Sequence, residues 1–98
     1  MDATQAHPIP CRKSIERQAE TLKALAHPAR LAIVHALASG PVCACDLAEH
    51  AESSPPTTSR HLTVLRHAGI ISQERRGQQI FYELKRPCVL TFIECCND

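Results

Sequence analysis

Apolar residues recur along this chain first at helical and later at alternating spacing, and the change of period divides it into elements. Ile15, Ala19, Leu22 and Ala26 stand at i, i+4, i+7 and i+11, and Leu25 widens the stripe, which predicts an amphipathic helix. Ser14 is placed to cap it. Pro28 ends it, because a proline ring clashes with a continuing helix but suits the first turn of a new one. The next helix, about 28 to 38, carries Leu31, Ile33, Val34, Leu37 and Ala38 nearly all round and is expected at the centre of the core. Gly40-Pro41 closes it. The segment VCACDLAEH (42–50) predicts a third helix starting near Cys45 or Asp46 and ending about Glu52, with Leu47 and Ala51 inward. Ser54 then caps a fourth helix with Pro55 at its first position, and Leu62, Leu65 and Ala68 face the core until Gly69 supplies a left-handed stop.

From Ile70 the period changes. Ile70-Ile71 opens a strand, Arg76-Gly77-Gln78 makes a turn, and Ile80, Tyr82 and Leu84 share one face of the return strand. A two-stranded ribbon alone is barely stable, so it must pack on the helices. Val89, Phe92, Ile93 and Cys96 return to helical spacing in a last helix from about 87 to 96. The predicted fold is mainly α with a β-hairpin wing: four helices, two strands and a final helix. Residues 1–13, with two prolines and little periodicity, are expected to form an N-terminal arm on a domain spanning 14–96. A chain of 98 residues buries only about two thirds of its unfolded surface, so a homodimer through the first and last helices is the expected way to enlarge the core.

The formal net charge of +1 says little, but its distribution says more. Between Thr57 and Gln78 lie Arg60, Arg66, Arg75 and Arg76 against the single acid Glu74, whereas Asp46, Glu49 and Glu52 sit on the preceding helix. Helix, turn, helix and hairpin over 41–82, with arginines on the second helix and the hairpin tip, suit the phosphates and bases of a DNA duplex. Thr57, Thr58, Ser59, Arg60, His61 and Arg66 are the candidate groove contacts, and Arg75, Arg76 and Gln78 the candidate wing contacts. No apolar run approaches the length of a membrane span, and the first residues lack the layout of a secretory signal, so a cytoplasmic protein is expected. No nucleophile stands with a placed base, no glycine-rich loop could cradle phosphate, and there is too little chain to enclose an organic substrate. An enzyme is not expected.

Six cysteines in so short a chain are many. Without a secretory signal, and with the close pairs Cys43/Cys45 and Cys95/Cys96, they point to thiols that bind or sense rather than to structural bridges. Thiolates are soft ligands that select arsenite, antimonite, cadmium, lead, zinc or copper(I). Arsenic(III) and antimony(III) need only three converging thiolates. Thiol oxidation or persulfide formation is the chemical alternative. Cys88 and Cys96 are equally readable as small apolar packing residues.

LKALAHPARLAIVHAL (22–37), VCACDLAE (42–49), SPPTTSRHLTVLRHAGI (54–70) and IFYEL (80–84) together resemble the ArsR/SmtB family of winged helix-turn-helix repressors that sense metals and metalloids. The resemblance implies a homodimer that binds a roughly palindromic operator through Thr57 to Arg66 and the wing, and that loses DNA affinity when inducer binds. It also implies ligands at Cys43 and Cys45. One branch of the family has a third cysteine three residues further on, where this chain has Ala48; another completes the site from the N-terminal arm of the partner, and Cys11 is suitably placed for that, with His7 nearby. The first-choice metal site is thus Cys11, Cys43 and Cys45, with arsenite or antimonite as inducer and Cd, Pb or Zn as alternatives. Cys88, Cys95 and Cys96 form a second candidate set, although Cys88 and Cys95 lie about 10 Å apart along a helix axis. The histidines of the family's zinc-type site on the last helix are missing, since none follows His67.

Overall fold

Proline, glycine and serine mark most element boundaries by local chemistry, and long-range pairing sets the remainder. A computed structural model describes residues 9–96, so most of the expected arm, including His7, lies outside the described residues. Helix α1 (Arg12–Leu25) starts two residues before Ser14, with Cys11 as its extended N-cap residue. Ser14 therefore lies within the first turn instead of capping it. Arg12 and Glu16 approach to 3.5 Å one turn apart, but both are exposed, so the pair adds only a few tenths of a kcal/mol.

Helix α2 (Pro28–Ala36) begins at the predicted proline. Its cap is His27, whose Nδ1 accepts the Ala29 N–H at 3.1 Å. Leu37–Ser39 then tighten into a 3₁₀ turn, which shortens the α-helical part expected to reach residue 38.

The next segment departs from expectation. Val42 and Cys43 form a short strand, β1, and only then does α3 (Ala44–Ala51) start, with Cys43 as its extended N-cap residue. The cause is non-local: β1 pairs antiparallel with a later strand, Val42 opposite Tyr82 and Cys43 opposite Phe81. Helix α4 (Pro55–His67) is capped by Ser54, whose hydroxyl accepts the Thr57 N–H at 3.3 Å. Substituting such a cap by alanine costs about 1 kcal/mol. Gly69 takes φ +78°, and the Ile70 N–H folds back onto the Leu65 carbonyl at 3.0 Å, so the helix stops where glycine alone is relaxed.

Strands β2 (Ile71–Arg76) and β3 (Gln79–Leu84) pair from Ile71 opposite Leu84 to Arg76 opposite Gln79, which leaves Gly77-Gln78 as the turn. The sheet order is β1-β3-β2, so the hairpin wing is anchored along its return strand. Helix α5 (Cys88–Cys95) follows. Ile33, Leu37, Leu47, Leu65, Ile70 and Ile71 are the largest fully buried apolar side chains, drawn from α2, α3, α4 and the base of the wing. The architecture is the expected winged helix-turn-helix, with one strand added. Of the apolar stripes on α1 and α5, Ala24, Leu25 and Val89 are buried, whereas Ile15, Leu22 and Phe92 remain 37, 50 and 48% exposed.

Candidate nucleic-acid interface and thiol sites

The α3–α4 turn spans Glu52 to Ser54, and Pro55 and Pro56 at the start of α4 are exposed. Ser59, Arg60 and Thr63 stand exposed along one face, with Thr57 half-buried beside them and Arg66 half-buried a turn later. Thr63 was missed in reading the sequence, although it lies three and four residues beyond Arg60 and Ser59 and so on their face. Its hydroxyl donates to the Ser59 carbonyl at 3.0 Å, which holds the side chain against the helix. Among the described residues, neither Arg60 nor Arg66 has a carboxylate partner. Both are available to an external anion.

Thr58 and His61, expected among the groove contacts, point inward: they are 2 and 8% exposed. The reason is a polar cluster that sequence spacing did not reveal. Arg30 on α2 donates through Nε to His61 Nδ1 at 3.1 Å and through Nη1 to the Ala24 carbonyl at 3.4 Å. The His27 ring packs against His61 with centroids 4.5 Å apart. Because Nδ1 accepts, His61 is neutral and carries its proton on Nε2. Burial, then the neighbouring His27 and Arg30, hold its pKa below the ordinary 6.5. Among the described residues, Thr58 Oγ1 has no hydrogen-bond partner.

In the wing, Arg75, Arg76 and Gln78 are exposed. The two arginines differ. Arg76 donates twice to Glu74 Oε1, at 3.1 and 3.0 Å, and its guanidinium lies 4.7 Å from the Phe81 ring centroid. It is preorganised on the β-ribbon. Arg75 makes one long bond to the Gly77 carbonyl, at 3.3 Å, and keeps its charge uncompensated. The exposed α4 face and the wing tip thus present Arg60, Arg75 and Arg76 on projecting elements, an arrangement suited to a polyanion with a groove.

The six cysteines are free thiols; Cys43 is half-buried and Cys11, Cys45, Cys88, Cys95 and Cys96 are exposed. Within one protomer Cys88 and Cys96 do not pack into the core. The N–H and hydroxyl of Ser14, in the first turn of α1, draw the Cys11 thiol below its ordinary pKa, so it forms thiolate more readily than a free cysteine. Cys43 precedes α3 and Cys45 lies in its first turn. Among the described residues, no group of three or more His, Cys, Asp or Glu side chains is gathered to hold a metal within one protomer. Neither Cys11, Cys43 and Cys45 nor Cys88, Cys95 and Cys96 forms such a group within one protomer.

Comparison with known proteins agrees with this arrangement. Residues 27–73 match the model of a bacterial regulatory protein family, the arsR family. The chain is 44% identical over 62 residues to the transcriptional repressor SdpR of Bacillus subtilis, covering 63% of this chain and 69% of that protein. It is 40% identical over 88 residues to a biofilm growth-associated repressor of Agrobacterium fabrum, covering 89% and 75%. Among solved structures, the AntR antimony-specific transcriptional repressor superposes with a TM-score of 0.79 at 31% identity, covering 97% of this chain and 87% of that one.

Proposed function

This chain belongs to the arsR family, the ArsR/SmtB winged helix-turn-helix regulators, and is a DNA-binding protein rather than an enzyme; from that premise we propose that it is a homodimeric repressor released from its operator by arsenite or antimonite. The observation that carries the reading is the position of Cys43 and Cys45. They open α3, the helix that packs on α4, and α4 carries the outward Ser59, Arg60 and Thr63. A ligand that clamps the start of α3 therefore acts on the element that would enter the major groove. Coupling of about 1–3 kcal/mol between the two sites is enough for partial release.

Arsenite takes three thiolates in a pyramid, and Cys43 and Cys45 supply two. Cys11 supplies the third, from the partner subunit, because it sits at the very start of α1 with its thiolate already favoured. The half-exposed Ile15 and Leu22 on α1 and Phe92 on α5 support a dimer through these helices; covering each is worth about 1 kcal/mol. Resemblance to an antimony-specific repressor supports the pnictogen reading. None of the described helices is long and apolar enough to cross a membrane, and the reading places the protein in the cytoplasm with DNA.

The test uses an operator fragment selected from the DNA upstream of the protein's own gene, followed by fluorescence anisotropy. Arsenite should weaken binding of the wild type at least tenfold. Cys11→Ser should bind DNA normally yet fail to respond, and a full response in that variant would sink the trans site. Exposure of five of the six thiols also keeps a redox response open as a second reading. Release by a mild disulfide or persulfide donor, with no effect of arsenite, would select it.

A further inference from the structure

A cavity of ≈ 550 Å³ lies between α1, the C-terminal half of α4 and the start of the segment leading to α5. It contains none of the cysteines and none of the outward α4 residues that face DNA in the proposed function. Its size is that of a small-molecule site. Arg17, Lys23, Arg30 and Arg86 line it, against one carboxylate, Glu20. Glu20 is already paired with Lys23 at 3.6 Å. Ala24, Val64 and Ala68 form an apolar part of the wall.

Two of these arginines are fixed by the fold. Arg86 donates through Nε to the Gly69 carbonyl at 3.2 Å, and Arg30 is tied to Ala24 and His61 through Nη1 and Nε. Among the described residues, the Nη groups of Arg86, the Nη2 of Arg30 and the whole guanidinium of Arg17 make no hydrogen bond to protein. Held arginines with unused donors, beside an apolar wall, form a receptor for an anion that also carries an apolar body. We infer that this cavity binds a small organic anion, a phosphomonoester or carboxylate bearing one ring-sized apolar group.

On α1 the cavity lining is set apart from the apolar stripe offered to a second copy. At 3.6 residues per turn, Ile15 and Leu22 lie on one side of α1, and Arg17, Glu20, Thr21 and Ala24 lie roughly opposite. The site also bears on the reading helix, because Val64 and His67 of α4 line it and Arg30 reaches from it to His61. Charge drawn to Arg30 weakens or reorients its bond to His61. The site is independent of whether thiolates sense a metalloid.

The intact dimer, titrated with phenyl phosphate and followed by ¹H–¹⁵N correlation spectra and calorimetry, tests this. Backbone signals of Ala24, Val64 and Ala68 should shift together, and the His61 ring nitrogens should move with them. Arg17→Glu, which alters an exposed side chain and should leave the thermal midpoint unchanged, should weaken binding at least tenfold. Arg86→Ala should weaken it by a similar factor. Inorganic phosphate should bind at least tenfold more weakly than phenyl phosphate, and benzyl alcohol should not bind measurably. Shifts confined to other regions, binding unaffected by Arg17→Glu, or equal affinity for inorganic and phenyl phosphate would each overturn the assignment. A stationary His61 signal at saturation would overturn the link to α4.

Discussion

Replacing Arg30 with alanine removes the one side-chain hydrogen bond that joins α2 to α4 among the described residues. The change deletes the Nε donation to His61 Nδ1 at 3.1 Å and the longer Nη1 donation to the Ala24 carbonyl at 3.4 Å. The first is charge-assisted and its acceptor is 8% exposed, so its loss leaves a buried nitrogen unpaired. Hydrogen bonds to charged groups contribute about 1.5–3 kcal/mol. Arg30 is only half-buried and water can partly replace it, which lowers the expectation to about 1–2 kcal/mol, or about 4–15 °C in Tm for a domain of this size. Urea unfolding at fixed protein concentration measures it, since dimer stability depends on concentration. The pH dependence makes the prediction specific. His61 is held below its ordinary 6.5, so its contribution is fully present above that value and is lost as pH falls through the lowered folded value. Protonated His61 cannot accept from Arg30, so the gap between wild type and Arg30→Ala should be largest at pH 8 and shrink by pH 5. A gap below about 0.5 kcal/mol at pH 8, or one that widens on acidification, would refute the reasoning.

Thr58→Val swaps the orphan Oγ1 for a methyl in a site that is 2% exposed, and should be neutral or stabilise by about 1 kcal/mol in the same urea assay. Arg60→Ala should weaken operator binding by about 1–3 kcal/mol if the side chain meets a base, or lower the salt slope by about one unit if it meets a phosphate; anisotropy at several salt concentrations reads both. Ser54→Ala should cost about 1 kcal/mol and fray the start of α4, visible as faster amide exchange at Thr57.

Much of the fold could be read locally because punctuation residues act through their own chemistry. Pro28, Ser54-Pro55 and Gly69 place three boundaries without reference to anything distant. Strand β1 was hidden for the opposite reason. Two residues carry no periodicity, and their conformation is decided by Tyr82 and Phe81, some forty positions later. The inward turn of His61 was hidden likewise, since its polar character and spacing suit an outward position. Only Arg30 and His27, brought close by the packing of α2 on α4, make burial tolerable. The thiols were legible as candidates but not as a constellation, because no protomer collects three of them.

The two-residue strand β1 ties the return strand of the wing to Cys43. Cys43 stands directly across the ladder from Phe81, and Phe81 carries the Arg76 guanidinium on its ring. In the proposed function, a ligand on the Cys43 sulfur would load the return strand of the wing directly as well as the start of α3. So short a strand is also easily unhooked, since only two residue pairs hold it. In the proposed repressor, that would tilt the wing while the core and α4 stay in place, a route to graded loosening as well as complete departure.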